Sequence, residues 1–125
     1  MTARRQASNL SPPHFTLDPS LAVKHRLLSH LLAYWRCKAG ARAMPARADI
    51  DPLDLREHMG WMILTDVASS PLRFRFRLIG AEVTRLVGRD STGKFWDEIY
   101  APAIYDATTA AMRWVVEHRR PLRVL

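Results

Sequence analysis

Residues 72–79 read Leu-Arg-Phe-Arg-Phe-Arg-Leu-Ile, and this alternation constrains the fold more than any other stretch of the chain. Successive side chains on a strand point to opposite faces. Leu72, Phe74, Phe76 and Leu78 therefore share one face, and Arg73, Arg75 and Arg77 share the other. Burying three guanidiniums to expose two phenylalanines would be far more costly than the reverse, so the run predicts a strand with one buried and one wet face. Residues 61–67 (WMILTDV) are short, almost wholly apolar and rich in strand formers. They predict a buried strand, and the turn-prone residues 68–71 make the two runs an antiparallel hairpin.

Helical signals surround the hairpin. Gly80 closes the second strand, and residues 81–87 predict a short helix with Val83, Leu86 and Val87 inward. Residues 88–94 form a polar turn between two glycines, and 95–100 predict a single helical turn. Pro102 and the run His118-Arg119-Arg120 bracket a long helix with the apolar stripe Ile104, Ala107, Ala111, Trp114 and Val115. Pro121 ends it, and residues 122–125 alternate again, as the opening of another strand would. Toward the N-terminus, Asp18-Pro19 supplies a cap and a first-turn proline. Leu21, Leu27, Leu28, Leu31, Tyr34 and Trp35 then recur at helical spacing until Gly40. Asp51-Pro52 repeats the cap signal before a short helix over 52–58.

A chain of 125 residues fits one domain. Its single cysteine, Cys37, excludes a disulfide framework and a cysteine-based zinc cluster within one chain. No run has the roughly 18–20 apolar residues of a membrane-spanning helix. Arg4-Arg5 has the form of a twin-arginine signal, but no apolar segment follows. Residues 1–17 are read as a flexible leader and the protein as cytoplasmic, with no membrane partner. The net charge of +7 is spread along the chain, and no basic cluster is interleaved with stacking aromatics. Nucleic acid is thus the lesser reading. Its best footing is Arg73, Arg75 and Arg77 as a platform for a polyanion or an acidic partner, against a plain solvated sheet face.

Catalytic and metal constellations are missing from the pattern. The five histidines show no metal spacing, and His25 and His30 lie off one helical face. The loop Gly88–Lys94 lacks the Gly-Lys-Ser/Thr order of a phosphate loop. Asp97 and Glu98 are adjacent, so on a helix they point about 100° apart. No nucleophile, base and orienting group stand together, and the expectation is a non-enzyme with no metal. The helix face of Leu27, Leu28, Leu31 and Trp35 is either core or the seam of a homodimer.

The order of elements, with Pro45-Ala46-Arg47-Ala48-Asp49-Ile50-Asp51-Pro52, Arg75-Phe76-Arg77-Leu78-Ile79-Gly80 and Gly88-Arg89-Asp90-Ser91-Thr92-Gly93, resembles a bacterial, mainly alphaproteobacterial family of stand-alone PAS-like domains. The resemblance runs from about Leu31 to Leu125. It implies an α+β fold, a five-stranded antiparallel sheet with helices on one face. It also implies sensing or protein interaction rather than catalysis, with a small ligand held between sheet and helices. Ile63, Phe74, Phe76, Val83, Phe95, Trp96 and Tyr105 are the expected lining, on size and position. Residues 104–114 hold no histidine for haem, and no cysteine stands in a flavin-photosensor context, so haem and covalent flavin are disfavoured and no cofactor is expected. The division is then a leader over 1–17, a helix, connector and short helix over 18–60, and a PAS-like core over 61–125. That core reads as truncated after the start of its third strand, because two further strands are missing from it.

Overall fold

The computed structural model describes residues 14–125, so the leader reading over 1–13 lies outside the described residues. Among the described residues the fold is α+β, with small antiparallel sheets and four α-helices. It divides into two compact units. One is Met59–Thr108; the other joins His14–His58 to Thr109–Leu125.

The first unit is built on the hairpin. Strands β2 (Ile63–Ala68) and β3 (Arg73–Ile79) pair antiparallel. Ile63 faces Ile79 and Leu64 faces Leu78, but Thr65 faces Phe76, so Arg77 is the extra residue of a bulge. Phe74 (1% exposed) and Phe76 point inward while Arg75 and Arg77 face water, as the alternation requires. β3 is bonded on its other edge too. The Phe76 N–H donates to the Lys94 carbonyl (3.0 Å), and the Gly93 N–H donates to the Phe76 carbonyl (2.7 Å). The central strand is therefore the arginine-bearing one. The apolar run before it is the edge: Ile63 and Val67 are exposed, and Trp61 lies in a 3₁₀ turn, Met59–Trp61, ahead of the strand. The expectation of a buried strand over 61–67 fails because nothing among the described residues pairs on its outer side.

Gly80 leads into helix α2 (Ala81–Val87), which Gly88 terminates at φ 89°, donating its N–H to the Thr84 carbonyl. Gly80 is required by space: a Cβ there would lie 2.3 Å from the Gly60 carbonyl oxygen and 2.4 Å from that of Met59. Val83 is half-buried, but Leu86 (73% exposed) and Val87 face solvent, contrary to the inward reading. Two turns of helix can press only one narrow stripe inward. The one-turn helix α3 (Trp96–Ile99) delivers Trp96, which stacks on Phe76 at 5.1 Å and tilts against Phe74 at 5.8 Å. These three rings are the centre of the unit's core. Helix α4 (Pro102–His118) follows, with the unit boundary between Thr108 and Thr109.

The second unit is assembled from distant segments. Helix α1 (Arg26–Ala39) begins eight residues later than Asp18. His25 is its cap, Nδ1 accepting from the Leu27 N–H at 3.2 Å. Asp18 lies instead in β1 (Leu17–Asp18), which pairs with β4 (Arg123–Val124). The Asp18 carboxylate accepts from the Ser20 hydroxyl, the Ala22 N–H (3.0 Å) and Arg123 Nε (2.8 Å). A cap residue so engaged folds the chain into a local turn, and Leu21 at φ 57° carries it out of helical geometry. Thr16 and Leu125 exchange both backbone hydrogen bonds, at 3.0 and 2.9 Å. Residues 16 and 17 are thus strand-paired rather than part of a leader. The strand opening at 122–125 pairs with β1 and does not extend the hairpin. Among the described residues the sheets are two-stranded, where the resemblance implies five strands in one sheet.

Around α1, the Tyr34 hydroxyl donates to Asp54 (2.9 Å) and accepts from the Asp51 N–H (2.9 Å). Asp51 caps the 3₁₀ turn Pro52–Leu55 through the Leu53 N–H, as its sequence signal predicts. Leu55 and Thr109 are almost fully buried.

Candidate functional site

The packing of α2 beside the hairpin leaves a cleft of about 180 Å³ in the first unit. Its walls are apolar: Ile63, Phe76, Ile79, Val83 and Ile99, together with the largely solvent-exposed Val87. Four polar residues complete it: Thr84, Arg89, Ser91 and Tyr100. Each is placed by local structure. Gly88 turns the chain out of α2 and sets Arg89 at the rim. The Asp90 carboxylate accepts from the Thr92 N–H (2.9 Å) and hydroxyl, a tight turn that leaves Ser91 buried between them. Tyr100 ends α3, its N–H donating to the Trp96 carbonyl. Desolvation raises the Tyr100 pKa above the ordinary phenol value, with the nearby Arg89 charge opposing the shift.

Three of the seven expected pocket residues, Ile63, Phe76 and Val83, meet in this cleft. Phe74 and Trp96 are core instead. Phe95 lies under the Arg73 guanidinium, 3.7 Å from its ring centre. Tyr105 sits in the first turns of α4, donating its N–H to the Ala101 carbonyl, and is not part of the lining. Sequence reasoning missed Arg89, Ser91 and Tyr100. It weighed residues by bulk and predicted face, whereas Arg89 and Ser91 are placed by the glycine turn and the Asp90–Thr92 bond, and Tyr100 by the end of α3. The signal available was the polar run between Gly88 and Gly93.

The three strand arginines do not form an open cationic platform. Arg73 donates twice to Asp97, at 2.7 and 2.8 Å, which holds the Asp97 carboxyl below the usual range and Arg73 above its own. Arg75 (2.8 Å) and Arg77 (3.3 Å) share Asp66, whose pKa is lowered chiefly by the Arg75 bond. Three guanidiniums thus meet two carboxylates.

In the second unit, Leu28, Leu31, Leu32 and Trp35 line an apolar trough of about 400 Å³ with Pro121, Leu122 and Val124. Of the expected dimer face, Leu28 (51% exposed), Leu31 and Trp35 are in this trough. Leu27 is not among the lining; its carbonyl meets His58 Nε2 at 3.0 Å. His58 is buried and stacked on His30 at 5.1 Å, and its Nδ1 has no partner among the described residues. Among those residues no group of three or more histidines, cysteines or carboxylates could hold a metal, and no helix is long and apolar enough to cross a membrane.

A family model described as a PAS domain matches residues 23–125. No curated protein matches the chain, and no solved structure does.

Proposed function

This chain belongs to the PAS domain family, and from that premise we propose that it is a sensory or regulatory module working through a small ligand held in the cleft between β2–β3 and α2. The observation that carries this reading is the cleft itself, apolar on its walls with polar groups gathered at Arg89, Ser91 and Tyr100. Pockets that recognise small molecules combine an apolar lining with a few placed polar groups. No histidine or cysteine lines the cleft, which supports a module without haem or covalent flavin. The bacterial and stand-alone character drawn from the resemblance, and the cytoplasmic location read from the leader, belong to the same proposal. Native mass spectrometry with a visible spectrum of the purified protein tests it. A small adduct without visible absorbance is the expected result. A haem or flavin band overturns the cofactor reading, and a protein that neither carries nor takes up any small molecule overturns the ligand reading.

A second reading concerns association. Leu28 stands half-exposed on an apolar trough, and the proposed occupant is the same face of a second copy. Leu28→Glu should lower the sedimenting mass from dimer to monomer while the protein stays folded. An unchanged mass removes this face as the seam. The nucleic-acid alternative has less support, because Asp66 and Asp97 already engage the strand arginines.

A further inference from the structure

We infer that the cleft in the first unit takes a small single-ring carboxylate, with its ring against the apolar walls and its carboxylate at Arg89. The inference rests on reading that cleft as the ligand site and adds the chemical class of the ligand. Size sets the first limit. An apolar cavity of about 150 Å³ accepts one benzene ring, so a cleft of about 180 Å³ has room for one ring and a short polar group. Shape and surface set the second. Tyr100 lines the cleft beside the aliphatic walls of Ile63, Ile79 and Val83, and contact with its ring favours a flat ligand.

Charge sets the third limit. Arg89 forms no ion pair among the described residues. The acids nearest in sequence are engaged elsewhere: Asp90 with Thr92, and Glu82 with Arg85 at 2.8 Å. A guanidinium left open at the mouth of an apolar cleft matches a planar carboxylate, which it can bind through two parallel hydrogen bonds. Ser91, a residue only 6% exposed, also lines the cleft, two positions beyond Arg89. A bare inorganic anion would leave the apolar walls unfilled, and a neutral ring would leave Arg89 unused.

The test is a backbone-amide NMR titration of the full chain with phenylacetate and with its neutral isostere, phenylacetamide. Phenylacetate should shift Val83, Ser91 and Ile99, and bind at least tenfold more tightly than the amide. Arg89→Gln, a rim substitution that should leave the thermal midpoint unchanged, should erase that preference. Val83→Phe, which fills the cleft and keeps Arg89, should abolish binding of both. Equal binding of acid and amide at these residues, unaffected by Arg89→Gln, overturns the carboxylate inference while leaving a ligand cleft in place. No shift at about 10 mM, well above a dissociation constant near 1 mM, overturns the ligand class outright; the native-mass measurement then decides separately whether the cleft binds anything.

Discussion

The first unit, built on the β2–β3 hairpin, and the second, closed by the β1–β4 ribbon, are each held internally by contacts of opposite range. In the hairpin unit the central pairing joins residues such as Asp66 and Arg75, nine apart in sequence. In the ribbon unit β1 pairs with β4, and Asp18 bonds Arg123 across 105 residues. The first kind of contact closes a short loop at small entropic cost; the second gains only after a long loop has closed. The difference teaches where each unit is vulnerable. The hairpin unit depends on what fills its core, and the ribbon unit depends on what ties its ends.

The largest expected effect tests the first half of that statement. Phe74 is almost fully buried, directly opposite Val67 and against Trp96. Phe74→Ala should cost about 3–5 kcal/mol, from lost transfer energy and the cavity left behind. Urea unfolding followed by tryptophan fluorescence checks it. A loss below about 1 kcal/mol would mean the core collapses around the gap, and the rings would not be the centre of the unit.

The same contrast explains what could be read from the chain. Period two in residues 72–79 yields β3 and its inward phenylalanines, because strand geometry acts on every second residue regardless of the rest of the fold. The short helix over 81–87 and the long one from Pro102 to His118 follow from glycine and proline punctuation, and both match. Asp18 fails the other way. Aspartate followed by proline signals a helix cap and also a turn; here the turn is held by Ser20 and Ala22 and joined by Arg123, a residue that no local window contains. The site divides likewise. Ile63, Phe76 and Val83 were legible as apolar residues on predicted faces, whereas Arg89 and Ser91 enter the cleft through the turn at Gly88 and the Asp90–Thr92 bond, and Tyr100 through the end of α3. Thr109 is fully buried yet stands outside the apolar stripe read for its helix. Its hydroxyl accepts a hydrogen bond from Arg113 at 2.6 Å, which makes a polar residue tolerable there.

A middle-sized effect tests the ribbon. The bonds from Ser20, then Arg123 and Ala22, depress the Asp18 pKa well below the carboxylate range. A depressed folded pKa means the contribution is present above the unfolded value, about 3.9, and is lost as pH falls from there through the folded value. Asp18→Asn should therefore lower the urea midpoint at neutral pH by less than Phe74→Ala does. The gap between wild type and variant should narrow as the pH drops below about 4. A gap of constant size down to pH ~2 would show that the asparagine disturbs the turn itself rather than removing a charge-linked tie.

The smallest expected effect separates a local ion pair from a long-range one. Asp66 sits on the wet face of the hairpin, where Arg75 and Arg77 share it and all three side chains keep substantial contact with water. Water and salt screen such a cluster, and its strands are already joined by backbone bonds that the substitution leaves intact. Asp66→Asn should thus shift the urea midpoint less than Asp18→Asn, whose partner Arg123 is better shielded and whose strand pairing is only two residues long. What should change is the surface charge: two guanidiniums lose their carboxylate, and retention on immobilised heparin at low salt should rise above that of wild type. The measurement decides two questions together. If Asp66→Asn is the more destabilising of the two, the ion pair on the hairpin is a tie in its own right, and the division between a core-held and an end-tied unit fails. If wild type already binds heparin as strongly as the variant, Asp66 does not mask the arginine face, and the polyanion reading of Arg73, Arg75 and Arg77 gains on the ligand reading.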